Sequence, residues 1–316
     1  MHRIGYVLAD GFQVMSLASQ AVFEYANVVA GDQFYAIENF SVAGGLVRSS
    51  LGMLVETSPL SIPGLAETWI FTGVNTPLTN PSSPELLAFA RKAGAQARRM
   101  AGICTGGFVL AEAGLLADRR ATTHWAYSKE LQRRHPDIKV EDDRIYIIDG
   151  PLWTSAGMTA GLDLALGMLE KDLGVDVARS VAHKLVMHQR RSGGQSQHSE
   201  LLMLAPKSDR IQSALDYARR NLANSLSVEQ LAESVHLSPR QFTRVFTAET
   251  GQSPAKAIES LRLEAARLMI EQGRHSLDTI ARESGFRDRR HLREVFLRGF
   301  GVTPLALRRD ARRDKA

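Results

Sequence analysis

The stretch Ser227-Val-Glu-Gln-Leu-Ala-Glu-Ser-Val-His-Leu-Ser-Pro-Arg-Gln-Phe-Thr-Arg-Val-Phe-Thr-Ala-Glu-Thr-Gly-Gln-Ser-Pro254 returns, altered, as Ser276-Leu-Asp-Thr-Ile-Ala-Arg-Glu-Ser-Gly-Phe-Arg-Asp-Arg-Arg-His-Leu-Arg-Glu-Val-Phe-Leu-Arg-Gly-Phe-Gly-Val-Thr-Pro304. Leu231-Ala232 recurs as Ile280-Ala281, Leu237 as Phe286, Phe246 as Phe296, and Gly251…Pro254 as Gly301…Pro304. Two copies are too few to stack as a solenoid, so the repeat is a duplicated supersecondary unit. Each copy spells a short helix, a tight turn and a second helix. Ser227-x-x-Gln230 and Ser238-x-x-Gln241 have capping-box form, Asp288 is the matching N-cap in the second copy, and Pro239 and Pro254 suit a first helical position, where no N–H is needed. On the second helix of copy one, Phe242, Val245 and Phe246 share one face and Arg240, Thr243, Arg244 and Thr247 the opposite one. Arg290, Arg293 and Glu294 take the outer positions in copy two. An arginine-bearing helix packed on its partner is what a helix-turn-helix presents to a major groove.

Between the copies, Ser253 as cap, Pro254 as start and Gly273 as end frame a helix of about 19 residues, about 28 Å long at 1.5 Å per residue. Recognition helices at its ends would stand about 34 Å apart, one turn of B-DNA, so one chain could read two successive major-groove segments without dimerising. Residues Asp209–Leu307 resemble the DNA-binding domain of the AraC/XylS family of bacterial transcription regulators. The paired Gly-x-x-Pro endings and the Ser284-Gly285-Phe286 turn carry the resemblance. It implies double-stranded promoter DNA and RNA polymerase as partners.

Charge is divided accordingly. The chain has 316 residues, a length for which two domains are the default, and a net charge of +5. From Lys207 to the end there are 21 Lys and Arg against 14 Asp and Glu, a net +7, while the preceding residues carry −2. A basic half with paired helix-turn-helix units is what counterion release from DNA requires. Cys104 is the single cysteine, so no intramolecular disulfide is expected. The apolar run near Met1 is too short for a signal peptide, and no apolar stretch approaches a bilayer span, so the expectation is a cytoplasmic chain with no membrane contact. No metal site is expected: His183 and His188 are five apart, off a common helical face. No cofactor is expected either, since no Walker-type glycine loop is present. The Arg308-Arg309…Arg312-Arg313 tail reads as a disordered basic end.

The N-terminal half alternates. Strands are expected at Arg3–Ala9, Phe34–Val42, Thr68–Thr72, Arg99–Ile103, Arg144–Ile148 and Leu152–Ser155. Helices are expected over Val14–Ala30, Pro84–Gln96, Phe108–Leu116, Trp125–Arg134, Gly157–Leu173 and Val177–Met187. Such alternation makes an α/β fold, a parallel sheet sandwiched between helices. The Gly/Ser/Gln-rich stretch after it reads as a linker, giving 1–188 as a first domain, 189–207 as linker and 208–316 as an all-α domain with two helix-turn-helix units.

Gly102-Ile-Cys-Thr-Gly106 has the Gly-x-nucleophile-x-Gly form of a strand-to-helix elbow. A helix N-terminus behind Cys104 would lower its thiol pKa, and His124 is a candidate base. Residues 101–161 resemble the PfpI/ThiJ group of class I glutamine-amidotransferase-like domains. They look like the version fused to AraC-type DNA-binding domains in the GlxA family of regulators. Cys104-Thr-Gly-Gly-Phe-Val-Leu-Ala-Glu-Ala-Gly-Leu-Leu116, Arg119-Arg-Ala-Thr-Thr-His-Trp125 and Thr154-Ser-Ala-Gly-Met-Thr-Ala-Gly161 carry this, and Gly193-Gly-Gln-Ser-Gln197 recurs there. The resemblance implies a flavodoxin-like sensor domain, a homodimer formed through it, and control by a small-molecule effector, in many relatives an amino acid or nitrogenous compound. Enzymatic relatives place a carboxylate soon after the first strand, whereas Phe12–Phe23 contains none. They often have Gly-Gly after the third strand, where this chain has Gly73-Val74. Cys104 is therefore a nucleophile, a pocket residue or a small residue fitting a turn. A regulator without catalysis is the leading expectation, with Cys104 and His124 as vestigial candidates, and a cysteine-dependent amidotransferase-like enzyme is the alternative. A ligand pocket is expected over the carboxyl ends of the strands, lined by Gly73, Cys104, Thr105 and His124.

Overall fold

The computed structural model describes residues 1–187, 191, 193–197, 204, 206 and 208–313. The chain forms two compact units, Met1–Gln197 and His198–Ala316.

The first unit runs β1 (His2–Val7), a 3₁₀ segment (Val14–Ser19), α1 (Gln20–Ala30), β2 (Tyr35–Ser41), β3 (Gly45–Arg48), β4 (Leu54–Pro59), β5 (Thr68–Phe71), α2 (Pro84–Gly94), β6 (Arg99–Ile103), α3 (Gly107–Glu112), β7 (Arg120–Ala121), α4 (Trp125–Arg134), β8 (Lys139–Val140), β9 (Tyr146–Asp149), β10 (Leu152–Ser155), α5 (Ala160–Leu173) and α6 (Val175–Lys184). The main sheet has the order β3-β4-β2-β1-β5-β6-β10-β9. Its interior pairs, from β4–β2 to β6–β10, are parallel, and β3 and β9 add antiparallel edges. The expected parallel sheet forms the interior, and the antiparallel strands β3 and β9 extend it at its two edges. Side chains alternate across the strands, so Ile4, Tyr6 and Ile70 join the core under α1, α5 and α6. Val7, Trp69 and Phe71 join the core under α2 and α3. This parallel-dominant sandwich with helices on both faces is flavodoxin-like.

The stretch read as linker is not all tether. Arg191 donates from its backbone N–H and from Nε to the buried Asp163 on α5, at 2.8 Å each. The carbonyls of Gly193 and Gln195 accept from the Ile145 N–H. Gln197 donates to Thr123 O at 2.9 Å and accepts from the Trp125 N–H at 2.9 Å. Residues 191 and 193–197 therefore bond to the first unit. The rest of the expected linker, and His188, lie outside the described residues apart from Leu204 and Pro206.

The second unit is helical: α7 (Asp209–Arg220), α8 (Val228–Glu233), α9 (Pro239–Thr250), α10 (Pro254–Gln272), α11 (Leu277–Glu283), α12 (Arg289–Phe300) and α13 (Pro304–Arg313). Its ends follow from local chemistry. Ser227 and Ser238 form full capping boxes with Gln230 and Gln241, Asp288 caps α12 through the His291 N–H, and Gly251, Gly273 and Gly301 terminate helices with φ near +70°. Helix α10 serves two cores. Ala257, Ile258 and Leu261 pack with Leu231, Phe242 and Phe246, and Leu263, Ala266 and Ile270 pack with Ile280, Leu292 and Phe296. The C-terminal arginines expected to be disordered fall within α13, where Arg308 donates to His275 O. No described helix is long and apolar enough to cross a membrane.

Candidate functional site

In the second unit, α8–α9 and α11–α12 are the two helix-turn-helix pairs. Phe242 and Phe246 are buried beneath α9, leaving Arg240, Thr243, Arg244 and Thr247 exposed on the far side. In α12, Leu292, Val295 and Phe296 are buried, and Arg290, Arg293 and Glu294 are exposed. The two outer faces differ chemically. Arg290 Nε donates to Glu294 Oε1 at 2.9 Å within the helix. Arg298, the other helical neighbour of Glu294, instead reaches Glu259 on α10 at 2.6 Å. On α9 the Thr243 hydroxyl donates to Pro239 O at 2.9 Å.

The turns within the pairs are built differently too. His236 and Gly285 occupy equivalent left-handed positions, at φ 57° and 76°. Gly285 has no room for a side chain: a Cβ there would lie 1.9 Å from Leu222 O and 2.6 Å from Arg262 Nε.

In the first unit, β6 runs into the elbow. Cys104 has φ 57°, and glycines flank it because the backbone passes close by. A Cβ on Gly106 would lie 2.1 Å from Phe71 O, and one on Gly102 2.6 Å from Gly107 N. The thiol is buried, and burial pushes its pKa up to about 11, outweighing hydrogen bonds from Thr105. The expected acidifying helix N-terminus is overridden because Cys104 opens only a 3₁₀ turn (Cys104–Gly106) leading into the six-residue α3, while the sulfur sits in the apolar core beneath α1 and α5. His124 caps α4, its Nδ1 accepting the Ala126 N–H at 3.2 Å, and its ring lies against Trp125. Thr123 Oγ1 donates to Cys104 O. The Val74 N–H, the donor nearest in sequence to an oxyanion position, is taken by Thr105 Oγ1 at 2.8 Å. Within the acid-free stretch, Ser16 is fully buried and its hydroxyl has no partner among the described residues.

A cavity of about 480 Å³ lies over the carboxyl ends of β1, β2 and β5. Its walls come from Leu8–Asp10, Ser41–Gly44, Leu46, Val47, Thr72, Val74, Pro77, Asn80–Ser83, Glu85, Leu86, Thr105, Phe108, Val109 and Glu112. Of the four expected pocket residues, Thr105 lines it, whereas Gly73, Cys104 and His124 are not among its walls. Gly73 packs instead against Thr105 and Gln13. No sequence motif marked this cavity, because loops far apart in the chain build it. Among the described residues no group of three or more His, Cys, Asp or Glu could hold a metal.

Two families match the chain: the DJ-1/PfpI family over residues 69–171 and a helix-turn-helix domain over residues 231–310. The chain is 31% identical over 324 residues to the HTH-type transcriptional regulator GlxA of Rhizobium meliloti, covering 98% of this chain and 96% of that one. It is 46% identical over 101 residues to the isonitrile hydratase of Pseudomonas putida, covering 32% of this chain and 43% of that one. Among solved structures, an AraC family transcriptional regulator from Pseudomonas putida aligns with a TM-score of 0.54 and 22% identity, over 58% of this chain and 100% of that one, a likeness of fold. With the relative and the chain alike end to end and both domains in order, the chain belongs to the GlxA-type HTH transcriptional regulators of the AraC/XylS family, which join an N-terminal DJ-1/PfpI domain to a helix-turn-helix domain.

Proposed function

We propose that the first unit senses a small metabolite and that α9 and α12 read successive major grooves of a promoter, with α9 carrying more of the sequence readout. The exposed faces of these helices carry the reading. Arg240 and Arg244 are exposed on α9 and form no ion pair among the described residues, and Arg244 can make the bidentate contact to guanine. On α12, Glu294 neutralises Arg290 and contributes no phosphate contact of its own. A second copy docked through the first unit, RNA polymerase and a cytoplasmic setting complete this reading. The exposed Leu46, Leu51, Met53 and Leu54 on the β3–β4 hairpin support the homodimer.

The same reading assigns no catalysis to the chain. A thiol held protonated, a histidine engaged as a helix cap and a stretch without a carboxylate support this. The second reading, a cysteine-dependent enzyme with a DNA-binding appendage, draws on the likeness to isonitrile hydratase and on the strained Cys104 backbone. Turnover of an isonitrile or amide by the purified chain, abolished by Cys104→Ala, would favour it.

The test of the first reading is a pair of variants titrated on specific and scrambled duplexes at two salt concentrations. Arg244→Ala should lose about 1–3 kcal/mol on the specific duplex and relax preference at one base pair. Glu294→Ala should lose less there and bind scrambled DNA more tightly, since a negative charge leaves the interface. Equal losses of specificity would sink the asymmetric reading.

A further inference from the structure

We propose that the 480 Å³ cavity over β1, β2 and β5, and not the Cys104 elbow, is the effector site, and that it takes a small N–H-bearing cation, a primary ammonium or guanidinium on an apolar body. This rests on the sensing role proposed above and specifies where and what the first unit senses.

Three independent properties of the cavity lead there. Its place is where open α/β sheets hold ligands, beyond the carboxyl ends of parallel strands, and its volume is that of a small-molecule site. The elbow offers no such space: its thiol is buried in the core between the sheet and α1, and Gly73 is pressed against Thr105 and Gln13.

The walls then set the ligand's charge. Asp10, Glu85 and Glu112 line the cavity, and no lysine, arginine or histidine is among the described residues that do. Glu85 is held ionised by its own backbone N–H and the Ser83 hydroxyl at the start of α2. Glu112 Oε2 accepts the Ser82 N–H at 3.0 Å, which ties the loop before α2 to α3 and leaves the carboxylate charge unneutralised by that contact. Every charged side chain in the described walls is thus a carboxylate, Glu112 half-buried and Asp10 and Glu85 exposed at the rim, so the side-chain charge favours a cation over an anion.

The remaining walls set the rest. Leu8, Val47, Leu86, Phe108 and Val109 are apolar and suit an aliphatic body. Phe108 is the only aromatic among the described walls, so no cage for a quaternary ammonium is formed. Thr72 spends its hydroxyl proton on Val7 O, so only its acceptor capacity remains, and Asn80 and Ser82 add oxygen acceptors that a head group with N–H donors can use.

The test uses pentylammonium, pentanoate, pentanamide and tetramethylammonium as probes of the full-length chain, by isothermal titration. Pentylammonium should bind at least tenfold more tightly than the other three. The double variant Asp10→Asn/Glu112→Gln keeps shape and hydrogen-bonding capacity, and should weaken pentylammonium at least tenfold. Val109→Trp, which fills the space without altering charge, should abolish binding while the melting profile stays that of a folded chain. Pentanoate binding as well as pentylammonium would overturn the assignment, and so would loss of binding in Cys104→Ser with retention in the double variant. A second arm separates this inference from the sensing role. Cell metabolites fractionated by charge are added to the chain bound to a duplex selected from random sequence. A response confined to anionic fractions leaves sensing intact and refutes the cationic site, whereas no response to any fraction refutes sensing itself.

Discussion

Replacing Gly285 by alanine should cost the second unit several times more than the same change at Gly251. Both glycines are left-handed, at φ 76° and 73°. A non-glycine residue there costs about 1–2 kcal/mol in either place. They differ in surroundings. At Gly251 an added Cβ meets nothing within 4 Å, whereas at Gly285 it would lie 1.9 Å from a backbone oxygen, that of Leu222. That oxygen also accepts from Arg262 Nε at 3.2 Å, so the turn must move away from α10 or the bond must break. Overpacking adds about 1–3 kcal/mol, and a weakened charged hydrogen bond adds about 1 kcal/mol more. The expected totals are about 1–2 kcal/mol for Gly251→Ala and about 3–6 kcal/mol for Gly285→Ala. Urea unfolding of the full chain separates the units, because Trp69, Trp125 and Trp153 all lie in the first. Loss of far-UV ellipticity without a fluorescence change reports the second. Equal shifts of that transition in the two variants would refute the steric account.

His236→Gly, at the equivalent turn of the first pair, should stabilise by about 0.5 kcal/mol, since relief of a left-handed side chain slightly exceeds the added backbone entropy; a loss of that size in the same urea experiment would contradict it. Cys104 should resist iodoacetamide from pH 7 to 9 and react as pH approaches 11, followed by mass spectrometry. Because its folded pKa is raised, the stability gained by keeping the thiol protonated is intact below about pH 9 and is lost as pH rises through about 11; fast labelling at pH 7.5 would count against this. Arg191→Ala should lower first-unit stability by about 2–3 kcal/mol by removing the guanidinium beside buried Asp163, read by tryptophan fluorescence. A change under 0.5 kcal/mol would mean that the pair contributes little.

Local chemistry explains what could be read in advance. The second unit announces its helix ends through Ser227, Ser238, Pro239, Pro254 and Gly273, each acting within four residues of itself, so pattern and structure agree closely there. β6, α4 and β10 were legible for the same reason. The β3–β4 hairpin has no clear signature in the sequence, because Gly45–Arg48 and Leu54–Pro59 are short strands with one face of each solvated and a weak hydrophobic signal. At the elbow, the motif named the right residues but not the protonation of Cys104, which depends on the core packed around it from α1 and α5. The cavity has no motif at all, being assembled from loops after four different strands and from α3.

Residues 191 and 193–197 have a practical consequence for dissecting the protein. By composition they belong to the tether, and by bonding they belong to the sensor. A fragment ended at residue 188 would strip the Ile145 N–H of the carbonyls of Gly193 and Gln195 and Asp143 of the Ser196 and Gln197 donors, and would release the Thr122–Trp125 segment from the Gln197 amide. Such a fragment would report the ligand affinity of a loosened domain. One ended at Gln197 keeps every one of these bonds, and is the piece whose ligand affinity can be compared with that of the whole chain.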